Sequence, residues 1–387
     1  MSTIRDELES APEDRRIGSG WISGTISLVL ALIGLGAVLC FRYPQLLTVA
    51  DARKAYNVPL LRLLLHIDLI AAFSLGMVSI VLRKQKVLGF TALSIALAAT
   101  LLGGSRTEAR FDFESELYLG LDWFLLNLIF TGIIFIPIER FLKRVDQPIF
   151  RHEWREDLLY LLVSSLLVQS LTYLSMIPSN TMLATFELGG IRSAIASQPV
   201  VLQFFEIMFL TDFVQYWLHR AFHQFPLLWK FHAVHHSAEA MDWLAGSRMH
   251  LMEIICLRGC TVIPMYVLGF SDPALYGYIF AVYLFSTLVH ANIRTELPWL
   301  SDWLVTPRFH HWHHGIEKEA IDVNFAVHFP LFDRLFGTYH LPEDGRWPSG
   351  YGVATSPVPK GFVRQHLYPF AGPSKTDLTS ESTSSDE

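Results

Sequence analysis

Long apolar runs almost free of charge dominate this chain, and a run of that kind has few places to go. About 20 mostly apolar residues make a helix that crosses a bilayer. Trp21 to Phe41 gives 21 residues without a charge. Val58 to Leu82 is a second run, with Arg62, His66 and Asp68 crowding its first half. Val87 to Gly104 is a third, and Tyr118 to Ile138, with its one acid Asp122, a fourth. Leu158 to Ile177 and Val200 to Leu218 follow, the latter carrying Glu206 and Asp212. Ile255 to Val289 is long enough for a hairpin of two spans, with Gly269, Asp272 and Pro273 near the middle, where a turn falls. One such run is compatible with a buried core helix. Seven or eight spans or half-spans in 387 residues that are 51% hydrophobic and 17% charged predict an all-α, polytopic membrane helical bundle.

Residues 1–20 hold five acids, and no small-residue cleavage site follows the first apolar run, so that run reads as an uncleaved anchor. Lys and Arg near the span ends set orientation. With a cytoplasmic N-terminus, eleven of them fall inside, at 5–16, 83–86 and 140–155, against six outside. The segment from His219 onward is then cytoplasmic, and the 255–289 hairpin returns His290 to the same side. Pro373 to Glu387 is rich in Ser, Thr, Asp and Glu and reads as a disordered acidic tail. A net charge of −6 excludes the basic footprint of a nucleic-acid binder. Cys40, Cys256 and Cys260 all lie in apolar runs, which gives neither a disulfide framework nor a thiolate metal site.

Eleven of the 16 histidines fall between 219 and 314. His219 and His223 form HxxxH. His232, His235 and His236 form HxxHH, and His310, His313 and His314 form it again, with His311 inserted. Residues three and four apart share a helical face, so each motif presents its imidazoles together, as shared metal ligation requires. Composition alone predicts roughly 0.03 copies of HxxHH in this chain. A tetrahedral zinc site takes four ligands, so eight motif histidines imply two metals. A zinc protease needs HExxH, and His152-Glu153-Trp154-Arg155-Glu156 lacks the second His. A histidine-rich dinuclear site in a membrane protein fits non-haem iron that activates O2.

The motifs resemble those of the fatty acid hydroxylase and sterol desaturase superfamily of membrane di-iron enzymes, closely so along residues 148–370. Asp212-Phe-Val-Gln-Tyr-Trp-Leu-His-Arg-Ala-Phe-His223 looks like its first box, Leu228-Trp-Lys-Phe-His-Ala-Val-His-His-Ser237 like the second, and Phe309-His-His-Trp-His-His314 like the last. Asn324-Phe to Phe332-Asp-Arg-Leu-Phe-Gly-Thr-Tyr339 is similar to the segment that follows. The resemblance implies a catalytic domain over 148–372, which the charge bias makes a cytoplasmic histidine-rich helical cap; the N-terminal region, 1–147, with about four spans, lies outside the resemblance and has no assigned role beyond them.

It also implies metal ligands at His219, His223, His232, His235, His236, His310, His313 and His314, a ninth at His290, and at His250 either a ligand or a supporting group. His311 stands where Arg is common and is not expected on a metal, while His328 is a supporting group or a polar loop residue. Carboxylates and amides behind the rings should orient them. Asp212 is the first choice, Glu253 the next, with Asp322 and Asn324 closing the site from the C-terminal side. The cofactors implied are two non-haem iron ions, with O2 as co-substrate. The reaction is hydroxylation or desaturation of a C–H bond in a lipid such as a sterol, fatty acyl or alkylglycerol lipid. Gly18-Ser-Gly20 precedes a span and is no dinucleotide site, so electrons must come from a separate ferredoxin or small b-type cytochrome with its reductase. The alternatives are a non-catalytic metal-binding membrane protein, transporter or sensor, and an electron-transfer haem protein.

Overall fold

A computed structural model describes residues 3–108, 117–294, 298–353 and 358–371. The acidic tail expected at 373–387 lies outside them. The described residues form helices and turns, with two isolated bridges in place of any sheet. The chain divides into two compact units. The first comprises Met1–Gly132, Gln147–Arg151 and Leu162–Gln169; the second comprises Ile133–Asp146, His152–Leu161 and Ser170–Glu387.

In the first unit α1 (Trp21–Arg42), α2 (Val58–Leu82) and α3 (Val87–Leu101) pack together. Small residues let them approach: a Cβ on Gly24 would meet Ser79 and Leu88, and one on Gly76 would meet Ser27 and Leu93. Helical hydroxyls bridge the same seam, Ser27 Oγ donating to Ala72 O (2.6 Å) and Ser79 Oγ to Gly20 O (2.8 Å). Val38, Phe41, Leu65, Leu69 and Ala99 form the buried centre, while Leu63, Leu64, Ile67 and Ile70 of α2 stay exposed, as a lipid-facing surface requires.

Beyond them come α4 (Leu121–Phe141), α5 (Trp154–Leu166), α6 (Val168–Thr185), α7 (Gly189–Ala196) and α8 (Val200–Gln224). Then follow α9 (Pro226–His236), α10 (Leu251–Val267), α11 (Asp272–His290), α12 (Pro307–His313) and the short α13 (Leu331–Phe336). Among the described residues five helices are long and apolar enough to cross a membrane: α1, α2, α3 with its following turn, α4 and α11. Two bent pairs, α5/α6 at 65° and α7/α8 at 120°, bring the number to as many as seven. The single span expected at 158–177 is thus broken. The Leu166 carbonyl accepts from the Gly120 N–H (3.1 Å) at the break, an outside donor inserted into the helical ladder.

In the second unit the run expected as a hairpin at 255–289 forms two helices, α10 and α11, the former with 17 residues and Pro264 inside, and each packs against α8 rather than mainly against the other. Gly269 turns the chain at φ +79°, a left-handed conformation that favours glycine. Arg192 Nη1 caps the end of α10 by donating to Tyr266 O (2.5 Å) and Val267 O (3.0 Å). The buried residues of α8, Gln203, Ile207, Thr211, Asp212, Tyr216, His219 and Phe222, lie mostly three and four apart and so define one inward face.

Candidate metal centre

Three helices and one helix end deliver the histidines. α8 supplies His219 and His223, α9 supplies His232, His235 and His236, α11 ends on His290, and α12 supplies His310 and His313, with His314 as its C-cap. They sort into two groups: His219, His223, His232, His236 and His313, and His235, His290, His310 and His314. Within each group the ligand atoms lie within 4.8 Å of one another. Each HxxHH motif serves both groups. Helical positions three and four along fall on opposite sides of the first residue, about 60° one way and 40° the other. His232 and His236 therefore share one group while His235 faces the second, and His310 and His314 share the second while His313 faces the first.

The far side of the rings settles whether a cation fits. His219 Nδ1 donates to Phe325 O (2.8 Å), His313 Nδ1 to Val323 O (2.7 Å), His235 Nδ1 to Arg248 O (2.9 Å) and His290 Nδ1 to Ser286 O (2.7 Å). His232 Nδ1 faces Glu253 Oε1 at 2.6 Å. A neutral imidazole carries one N–H, so each Nε2 presents a lone pair. Yet His219 Nε2 is 3.0 Å from His232 Nε2, and His235 Nε2 is 3.3 Å from His290 Nε2. Nε2 of His223 and of His313 are buried without a hydrogen-bond partner. Burial foremost, then the neighbouring rings, holds His232, His235, His236, His310, His313 and His314 well below the ordinary imidazole range, so protonation does not relieve the crowding. Converging lone pairs with tied-back N–H groups are what a metal cation requires, and both groups fit one.

Nine of the ten expected imidazoles are thus brought together. His250 is not: its Nδ1 accepts from Met252 N (3.1 Å) as the cap of α10, and its Nε2 donates to His366 O (3.1 Å), so both nitrogens are engaged elsewhere. His311 turns away from both groups, its Nδ1 2.6 Å from the Tyr351 hydroxyl. His328 Nε2 lies 3.0 Å from the Tyr278 hydroxyl. Glu253 sits behind His232, where a carboxylate was expected, and Asp322 Oδ1 is 3.3 Å from His223 Nδ1.

Asp212 and Asn324 touch backbone rather than imidazole. Asp212 accepts from the N–H groups of Val327 (2.8 Å), His328 (3.1 Å) and Phe329 (2.7 Å). Asn324 Nδ2 donates to Phe309 O (3.0 Å) and His340 O (2.7 Å). Asp333 completes the grip, taking Phe325 N (2.7 Å) and Ala326 N (2.8 Å). Asp322 (φ 58°) and Asn324 (φ 59°) hold the left-handed conformation that Asn and Asp tolerate best among non-glycine residues. The carboxylates therefore fix the loop whose carbonyls, at Val323 and Phe325, fix the rings.

One buried assembly was not anticipated from the sequence. Arg248, whose carbonyl holds His235, is fully buried, its Nε 2.5 Å from Asp157 and its Nη1 2.9 Å from Glu153. The available signal was a lone Arg between two histidine motifs and two acids four apart at the start of an apolar helix.

A cavity reaches both groups, touching His219 and His232 of one and His235, His290 and His310 of the other. Fold and site together define a multi-pass helical membrane protein with a histidine-built centre able to hold two metal ions. Residues 204–338 match the model of the fatty acid hydroxylase family. The resemblance seen in the boxes is borne out. Ornithine lipid hydroxylase OlsE of Rhizobium tropici is 30% identical over 182 residues, which cover 46% of this chain and 54% of that protein. Human alkylglycerol monooxygenase is 29% identical over 134 residues, 34% of this chain and 29% of that protein. A very-long-chain aldehyde decarbonylase of Oryza sativa is 30% identical over 167 residues, 40% of this chain and 59% of that protein. The chain thus spans about half the length of the first relative and less than a third of the second. No solved structure matches.

Proposed function

We propose that this protein is a membrane lipid oxygenase that holds two non-haem iron ions and hydroxylates, or alternatively desaturates, a C–H bond. Hydroxylation balances as R–H, O2, two electrons and two protons giving R–OH and water. The electrons come from a separate ferredoxin or small b-type cytochrome with its reductase. Bound iron supplies the redox chemistry that activates O2 towards an unreactive C–H bond.

The observation that carries this reading is the pair of imidazole groups opening onto one cavity. Nine histidines would hold the metals: the five of the first group and the four of the second. Glu253 and the Arg248, Ser286, Val323 and Phe325 carbonyls orient the rings from behind. Burial keeps water from the reacting carbon. Relatives named for ornithine lipids and alkylglycerols support a lipid substrate with a polar portion. The catalytic domain is assigned to 148–372, and the charge bias around the spans supports a cytoplasmic centre.

Elemental analysis of purified full-length protein tests the reading directly. Close to two metal ions per chain are expected, mainly iron when iron is plentiful during expression. One ion or none in folded protein removes the two-metal reading. Lipid analysis of a host with and without the gene then names the substrate, by the lipid that gains one oxygen or loses a pair of hydrogens.

A further inference from the structure

We propose that Gln215 and Ser286 are specificity-determining residues, hydrogen-bonding a hydroxyl or amide of the lipid about one helical turn from the carbon that is oxidised. The inference rests on the lipid-oxygenase reading and deepens it. Gln215 precedes His219 on α8 by four residues, and Ser286 precedes His290 on α11 by four. Each therefore shares its ligand's helical face, displaced by about 6 Å along the axis. Both line the cavity that the imidazoles face.

Neither the Gln215 amide nor the Ser286 hydroxyl has a hydrogen-bond partner among the described residues. That is unlike the threonine hydroxyls of α8, α10 and α11. Thr211 Oγ1 donates to Ile207 O (2.6 Å), Thr261 Oγ1 to Leu257 O (2.8 Å) and Thr287 Oγ1 to Tyr283 O (3.0 Å), the usual bond to the carbonyl one turn back. Beside the histidines the cavity is also lined by Glu253, whose Oε1 faces His232 Nδ1 and whose Oε2 is buried without a partner, and by the apolar Met249, Leu257, Val289 and Val327.

Free polar groups set among apolar side chains discriminate among lipids. A bare hydrocarbon segment lying there leaves both groups unpaired, and burying an unpaired polar group is costly. A hydroxyl or amide pairs with them, because Gln and Ser each both donate and accept. The polar end of the lipid, rather than the far end of its chain, is thus held beside the metals, and the oxidised carbon lies near that end.

The test uses full-length protein in host membranes, with Gln215→Met, close in length and helix-forming, and Ser286→Ala, a loss of one atom. Host lipid extracts are compared for which lipids gain oxygen and at which carbon, and each purified variant is assayed for iron. Iron content is expected to stay at the wild-type level. Oxidation of the preferred lipid should fall about fivefold to tenfold in each variant, the worth of one hydrogen bond, and the oxygen should scatter along the chain. An oxidised-lipid profile identical to wild type overturns the assignment while leaving the oxygenase reading intact. Iron loss in both variants also overturns it, because the residues then serve the cage. Wild-type protein that oxidises no lipid removes the oxygenase reading, and this inference with it.

Discussion

Exchanging His313 for alanine takes one converging Nε2 from the five-imidazole group, and exchanging His235 takes one from the group of four. Each variant is expected to lose metal, read as iron per chain, and all lipid oxidation, while still inserting in membranes. His311→Ala and His250→Ala should keep both metals, since the first ring bonds Tyr351 and the second spends both nitrogens on α10 and His366. If His311→Ala lost metal as His313→Ala does, the two-group assignment would be wrong. The residue behind a ring matters less than the ring but measurably. Glu253→Ala frees the His232 ring and should weaken metal binding by about 10- to 100-fold in a chelator competition. The two imidazole groups were legible because a helix fixes the spacing of its own histidines. Arg248 and Asp157 were not, because their pairing joins residues 91 apart, and no local period marks such a contact. Asp157→Ala leaves the fully buried Arg248 guanidinium short of a partner and should destabilise the protein by about 3–5 kcal/mol. Thermal unfolding in detergent reads this, and a second change, Arg248→Met, should recover part of the loss.

At the scale of elements, two side chains hold one loop in place. Asp212 on α8 and Asp333 on α13 together accept five consecutive backbone N–H groups, Phe325 to Phe329. Asp212, seven residues before His219 on the same helical face, was expected to touch imidazole. Its stripe position was right, but a loop returning more than a hundred residues later takes the carboxylate, which the helix period cannot reveal. The consequence is testable. Asp212→Ala leaves three N–H groups unpaired and should cost about 3–5 kcal/mol in thermal stability. The released loop carries the Phe325 and Val323 carbonyls that tie back His219 and His313, both of the five-imidazole group. That group should therefore release its metal to chelator before the His235 group does. Equal release from both would show that the loop does not govern the rings. Among the apolar elements, α1 and α2 follow their hydrophobic runs almost residue for residue, because an uncharged run long enough to span has one low-energy form in lipid. The α5/α6 bend was hidden, since it depends on a donor from Gly120 rather than on any residue of the run.

For the whole molecule, one requirement governs: the residues of both imidazole groups must emerge on one side of the membrane. His219 to His236 and His310 to His314 are separated in sequence by α10 and α11, which must cross twice, or dip in and return. Gly269 at φ +79° supplies the turn between them. With 17 and 19 residues, the two helices are short for a span of about 20, so tilt or a locally thinned bilayer must make up the difference. In the proposed orientation, which rests on charge bias, the shared side is the cytoplasm, where a soluble electron donor would have access. Single cysteines at two exposed positions test this: Glu239→Cys, just after the second motif, and Lys318→Cys, just after the last. Both should react with a membrane-impermeant thiol reagent only after the cytoplasmic face is opened. Cys40, Cys256 and Cys260 all lie in helices of apolar runs, and the unsubstituted protein gives their background. Labelling of both from outside in intact cells would reverse the orientation and leave the centre whole, since its two halves would still share a side. Labelling of one from outside and the other from inside is incompatible with a single centre, because rings on opposite faces of a bilayer cannot approach to the 4.4 Å that separates the ring centroids of His236 and His314.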